Sequence, residues 1–322
     1  MKLVRSFTIR QLLASTLVVA ACTAQQPSAP AVPAPAETHP PYVGPHEAGR
    51  LTAPPRNEAS GLAASRRDND LLWTHDDSGG APVLYAVTTH GALRGRLRVG
   101  GVKNQDWEDV AAFTLDGKPW LLVADTGDND HKRRRVDLHI VPEPAADTLS
   151  PEREEIAAPW VTLRMNYEDG PKDCEAVAFD AKERAIYLLT KRDEVPRLYR
   201  VALPAPLKSG EPTAQFVGLV PHLPKPSRLQ RLLKGHLGQQ RARPCAMDFA
   251  PDGSAAVVLT YGDVVLFPRS RDESWADAMA REPIVLAPHY LLQAEAVCFA
   301  NDGTAIFVAS ETSRTLLRYD RP

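Results

Sequence analysis

The sequence is short of cysteine, of net charge and of long apolar runs. It has four cysteines in 322 residues, with no CxxC pair and no Cys/His zinc spacing, so a structural zinc site is not expected. A net charge of −2 argues against a general nucleic-acid binder, which would carry a basic surface. No GxSxG motif is present, so a serine nucleophile on a hydrolase elbow is not expected. The longest apolar stretch near the N-terminus, Leu12–Val19, is too short to cross a bilayer.

That stretch has another reading. Lys2, Arg5 and Arg10 precede it, and Ala20 and Ala21 follow, which predicts a signal peptide over residues 1–21. Its end, "VAAC", resembles the bacterial lipobox, in which the cysteine becomes the lipidated first residue of the mature chain. The resemblance implies a lipid on Cys22. Ordinary secretion with cleavage nearby is the alternative. Thr23, rather than Asp, follows the cysteine, which in Gram-negative lipoproteins resembles sorting to the outer membrane. Residues 22–50 are rich in Pro and Ala and read as an extended tether. The folded domain is expected over 51–322. It keeps Cys174, Cys245 and Cys298, an odd number, which leaves at least one thiol without an intrachain partner. Cys174 and Cys245 are the candidate disulfide, and Cys298 reads as an inert buried thiol.

Internal similarity organises the domain. Five segments share one outline, a small or acidic residue followed by an apolar strand. They begin at Ser60, Glu108, Glu175, Cys245 and Glu295. Asp/Gly turns follow several of them, such as "LDG" at 115–117, "PDG" at 251–253 and "NDG" at 301–303. A second and third apolar strand succeed each turn, and a fourth is visible in four units. Four short antiparallel strands repeated radially predict an all-β five-bladed β-propeller. Residues 47–53 are expected to supply the strand missing from the last blade and so close the ring. Little helix is expected beyond a turn at 226–235, with Ser227 capping and Gly235 stopping it. Six blades are the alternative, if 204–243 hides another unit.

In a propeller the first strand of each blade lines the central channel. Ser60, Glu108, Glu175, Cys245 and Glu295 should therefore ring one mouth of it. Three converging carboxylates repel one another unless a cation lies between them. Hard oxygen ligands favour Ca²⁺, with Mg²⁺ second. Ser60, Glu108, Glu175 and Glu295 are thus the candidate metal ligands, with Asp106 and Asp109 behind them or facing solvent. Two plainer readings stand beside this one: the glutamates accept backbone N–H bonds between blades, or hold a water column with one shared proton.

The loops between second and third strands should open at the same mouth: 74–80, 125–135, 191–196, 261–263 and 310–314. Their density of Asp, Lys and Arg exceeds what simple turns need. Lys191, Arg192 and Arg314 suit an anionic substrate. Asp76, Asp125 and Asp128 suit the orientation of water, and His75 suits proton transfer because its pKa lies near neutrality. "DTGDN" at 125–129 could form a Ca²⁺ loop, although it lacks the full EF-hand pattern. The basic insert 221–243 could steer anions, act as a lid, merely solubilise, or touch a membrane surface.

"NEASGL" at 57–62 is similar to the E-x-S-x-L opening of phytase-like propellers and of five-bladed calcium-dependent nucleotidases of the apyrase type. In the nucleotidases one Ser or Glu per blade holds a central Ca²⁺. That resemblance implies the same role for Ser60, Glu108, Glu175 and Glu295, with Cys245 departing from the pattern. "DWEDVA", "DTGDN" and "LLTKR" look more like an uncharacterised bacterial propeller family. Two function classes follow. One is a calcium-dependent hydrolase of phosphoric esters or anhydrides outside the cytoplasm. The other is a non-catalytic propeller that binds an anionic small molecule or a protein, with a structural ion.

Overall fold

The computed structural model describes residues 41–54 and 58–322. The signal peptide 1–21, Cys22 and most of the tether lie outside the described residues. Pro40–Pro322 forms one compact unit. It is almost all β. The single α-helix among the described residues, Trp275–Met279, starts where the Ser274 hydroxyl accepts the Asp277 N–H at 3.1 Å.

The strands follow one another as four-stranded antiparallel meanders. The first runs Ala59–Ala64, Leu71–Asp76, Val83–Thr88, Leu93–Val99. The second runs Trp107–Leu115, Lys118–Asp125, Val136–Pro142, Val161–Tyr167. The third is Cys174–Asp180, Ala185–Thr190, Arg197–Ala202, Thr213–Leu219. The fourth is Pro244–Phe249, Ala255–Thr260, Val264–Pro268, Ile284–Val285. Ala294–Phe299, Ala305–Ser310 and Thr315–Asp320 begin the last, and Val43–Arg50 completes it by pairing with Thr315–Asp320. The first strand of each meander packs beside that of the next, and Ala294–Phe299 packs beside Ala59–Ala64. This is a propeller-type arrangement. The inner strands are buried on both faces, which suits their runs of alanine: small side chains let several strands approach one axis.

Several expectations change. Val43–Arg50, assigned to the tether, is a strand of the fold and lies a few residues before the expected 47–53. The meanders are not all separate sheets. Parallel pairs Asn166–Thr213 and Tyr167–Ala214 join the second and third into one eight-stranded sheet, and Glu154–Ala157 adds a parallel fifth strand to the first. In residues 204–243, where a sixth unit was the alternative, Thr213–Leu219 is the fourth strand of the third meander, and 220–243 carry two short 3₁₀ turns, Gln230–Leu232 and Gly235–Leu237, and no strand. The expected cap does not form: Leu229 is the N-cap of the first turn, with no side-chain cap, although the Ser227 hydroxyl accepts from Gln230 N at 3.3 Å, and Gly235 begins the second turn rather than ending the first.

A candidate cation and anion site at the acidic mouth

Every inner strand shifts register at one position near its start. The extra residue is Gly61, Glu108, Glu175, Cys245 or Glu295. A β-bulge of this kind turns one side chain out of the regular alternation. That is how a glutamate can open a strand whose other residues are core. It also corrects the expected ring. Gly61, not Ser60, occupies the shared position, and a slip of one residue puts Ser60 on the other side of the strand. The Ser60 hydroxyl donates to the Glu108 carbonyl at 3.0 Å and so ties two neighbouring strands together. Gly61 has φ +71°, and a Cβ there would meet His75 Nε2 at 2.8 Å.

An ammonium stands among the glutamates, and two groups that could hold a metal ion, Glu175 with Cys245 and Glu295 and Glu108 with Asp173 and Glu175, lie around it. Lys191, read as a substrate-binding residue, reaches back into the mouth and is 5% exposed. Its ammonium pairs with Glu175 Oε2, lies 3.8 Å from Glu295 Oε1 and sits over the Tyr261 ring at 4.8 Å. Burial opposes this charge, but the surrounding acidic groups, Cys245 first and then Glu295, Glu108 and Asp173, outweigh it and keep the pKa above the ordinary lysine value. Tyr261 donates its hydroxyl to Glu295 at 2.5 Å. Beside it, Glu311 is pushed up to about 10 by burial and by Glu295, so it is protonated at neutral pH and shares its proton with Glu295.

The cation-poor part of the mouth is elsewhere. Oxygens of Asp77, Asp106 and Glu108 lie within 4.8 Å of one another. Among the described residues none of the three is in an ion pair. Burial, reinforced by the charge of Asp77, raises Asp106 to about 6. Burial also raises Asp77, and raises Glu108 well above the usual carboxylate range against the opposing field of Lys191. Gly127 makes the cluster possible, since a Cβ there would collide with Glu108 Oε1 and Asp106 Oδ2. The donor set fits a hard cation: oxygens about 5 Å apart can share one ion with bonds of about 2.3–2.6 Å. Glu108 also belongs to a second such group with Asp173 and Glu175.

Asp109, expected to face solvent or stand behind the ligands, is buried on the axis. It accepts N–H bonds from Val110 and Val177 at 2.9 Å and from Met247 at 3.4 Å, which links three inner strands. For this residue the interblade reading holds. Asp248 repeats the device towards Phe299 at 3.0 Å.

The remaining site residues are placed as follows. Asp125 accepts from Gln105 N and Asp106 N and pairs with Arg133 Nη2 at 2.7 Å. Asp128 accepts from Lys132 N and Arg133 N, each at 2.8 Å. Both shape the 125–135 loop with their side chains. Arg192 bonds the buried Asp173 at 2.5 Å and also Asn129. Arg314 donates to the Leu51 carbonyl at 3.1 Å, outside the acidic cluster. His75 has no exposed surface, packs edge-on against Trp107 with centroids 5.8 Å apart, and burial lowers its pKa to about 4. It is neutral and inside the core. Asp76 is buried next to it. Cys174, Cys245 and Cys298 form no disulfide. Sequence reasoning missed Asp77, Asp173, Tyr261 and Glu311. Asp77, Tyr261 and Glu311 stand in loops that it did name, and Asp173 directly precedes Cys174.

A cavity of about 410 Å³ adjoins the mouth, with Lys191, Arg192, Lys225 and Arg243 among its walls, opposed by Asp193 and Glu194. The hollow meets the mouth at Lys191 and Arg192, the cations that pair with Glu175 and Asp173.

No protein-family model matches the chain, and no curated protein does. Among solved structures it is similar to a gluconolactonase from Xanthomonas campestris, at 12% identity and TM-score 0.44, over 82% of this chain and 72% of that one. It is also similar to the PQQ-bound aldose sugar dehydrogenase of Streptomyces coelicolor, at 11% identity and TM-score 0.43, over 85% and 96%. Neither likeness carries a reaction or ligand to this chain.

Proposed function

We propose that this chain is a five-bladed propeller, held at the bacterial outer membrane by a lipid on Cys22, whose acidic mouth binds Ca²⁺, or Mg²⁺ as second choice. The ion, with the basic hollow beside it, holds an anionic phosphoric ester or anhydride for hydrolysis. One observation carries the reading: Asp77, Asp106 and Glu108 converge within 4.8 Å with raised pKas and no ion pair. The ligand set differs from the one read in the sequence, because Lys191 already serves Glu175 and Glu295. The cyclic packing of the inner strands supports the blade count.

A second reading has its own support. Asp125 and Asp128 are taken up by backbone N–H groups, and His75 is sealed in the core, so the expected water-orienting groups are occupied. On that reading the same mouth binds an anion or a protein without turning it over, and the ion is structural.

The purified protein, assayed with calcium and with chelator against nucleotide, phytate and phosphodiester substrates, separates the two. Metal-dependent turnover lost in Glu108→Gln supports the hydrolase. Calcium-dependent melting without turnover supports the binding module; at a hundredfold excess over Kd the ion should raise Tm by roughly 5 °C or more. A melting curve indifferent to calcium, magnesium and chelator removes the cation from both readings.

A further inference from the structure

We propose that the insert 221–243 docks the protein on an anionic lipid surface. The insert contains Lys225, Arg228, Arg231, Lys234, Arg241 and Arg243 and no Asp or Glu. Arg241 is used internally, bonding the Gly262 carbonyl at 2.7 Å and Asp263 at 3.1 Å. None of the other five is in an ion pair among the described residues. Between these cations stand leucines that face water: Leu229 is 78% exposed and Leu232 80%, and Leu233 and Leu237 are about half exposed. Exposed large apolar side chains in one short segment mark an interaction site.

The chemistry of the patch selects the occupant. A bilayer interface takes apolar side chains into the acyl boundary while lipid phosphates meet the cations, and this segment interleaves both. A second copy of the chain would set five unpaired cations against five more, which is repulsive. The core of a protein interface is depleted of charge, whereas here each leucine has a Lys or Arg within a few residues. The segment is also held in place. Ser227 N donates to Gln230 Oε1 at 2.8 Å, and the His236 ring packs on Tyr261 with centroids 4.2 Å apart. Tyr261 belongs to the acidic mouth, so the docked face is the one that carries the carboxylates. The inference rests on the insert alone. It depends neither on a bound ion nor on a lipid at Cys22.

Residues 41–322, which form a compact unit by themselves, are the material for the test because they lack Cys22. They are sedimented with vesicles of phosphatidylglycerol and phosphatidylethanolamine, and with vesicles of phosphatidylcholine. Binding to the anionic vesicles, weakened by salt, is expected. Arg228→Gln/Arg231→Gln/Lys234→Gln should weaken it by about tenfold or more. Leu229→Ser/Leu232→Ser/Leu233→Ser should weaken it comparably, with an unchanged melting temperature. No sedimentation with anionic vesicles overturns the proposal. So does binding that both triple variants leave intact, or leucine-dependent self-association in sedimentation velocity without vesicle binding.

Discussion

On one side of the acidic mouth Lys191 lies between Glu175 and Glu295, Tyr261 donates to Glu295, and Glu311 brings a proton. On the other side Asp77, Asp106 and Glu108 meet with no ion pair among the described residues; Lys191 and Arg133 reach them only through their fields. Glu108, Glu175 and Glu295 occupy the same bulge position in three of the five inner strands, yet they meet different partners. The bulge fixes where the carboxylate points. What neutralises it comes from residues remote in sequence. A lysine on one loop completes one half of the mouth from within, and the other half has no ion pair among the described residues.

The strongest way to break this contrast is to remove the internal cation. Lys191→Met keeps the apolar stem and deletes the charge. Removing one partner of a buried ion pair costs about 3–5 kcal/mol, because the other charge stays buried. Urea denaturation should show a loss of that size. Calcium should recover part of it if the freed carboxylates accept an ion. An unchanged midpoint would mean that the Lys191 charge does not stabilise Glu175 and Glu295 and that the two halves of the mouth are alike.

The repeat was legible because buried inner strands and Asp/Gly turns recur along the chain, and so were the radial architecture and the direction of Glu108, Glu175 and Glu295. What escaped was set by single-residue geometry. A bulge has no letter of its own, so "ASGL" aligned Ser60 with the glutamates although Gly61 takes their place. Adjacent Glu108 and Asp109 look alike in sequence, but one faces the mouth and the other binds strands together on the axis. Lys191 sits on a loop, as a substrate ligand would, and its turn inward depends on a flexible side chain finding Glu175. Val43–Arg50 has a polar, Gly- and Pro-containing composition that gives no strand signal; pairing with Thr315–Asp320 makes it one.

The cation-poor half should also declare itself through pH. Asp106 titrates at about 6 in the folded chain against an ordinary value of 3.8, and Asp77 and Glu108 are raised as well. Between these two values the folded state holds more protons than the unfolded one. The contribution of these carboxylates to stability is then full below about pH 4 and falls as pH rises through 6, whereas His75 and His289, each lowered to about 4 by burial, contribute with the opposite sign over the same range. Thermal melts across pH 4–7 in chelator should therefore show the decline as the difference between the wild type and Asp106→Asn, which keeps both histidines. Saturating calcium should flatten it, since the ion replaces the protons. Equal slopes with and without calcium would show that these three carboxylates do not hold the ion.

The smallest effect sharpens the comparison from the satisfied side. Tyr261→Phe removes the hydroxyl that donates to Glu295 and leaves the ring under Lys191. A hydrogen bond to a charged group contributes about 1.5–3 kcal/mol, but here the ammonium and the Glu311 proton remain to serve Glu295. The loss should therefore fall near the lower bound, about 1.5 kcal/mol, and should not respond to calcium. If calcium restores the Tyr261→Phe variant in urea denaturation, Glu295 can turn to an external ion. The internal lysine would then be a competitor for that ion, not a substitute for it.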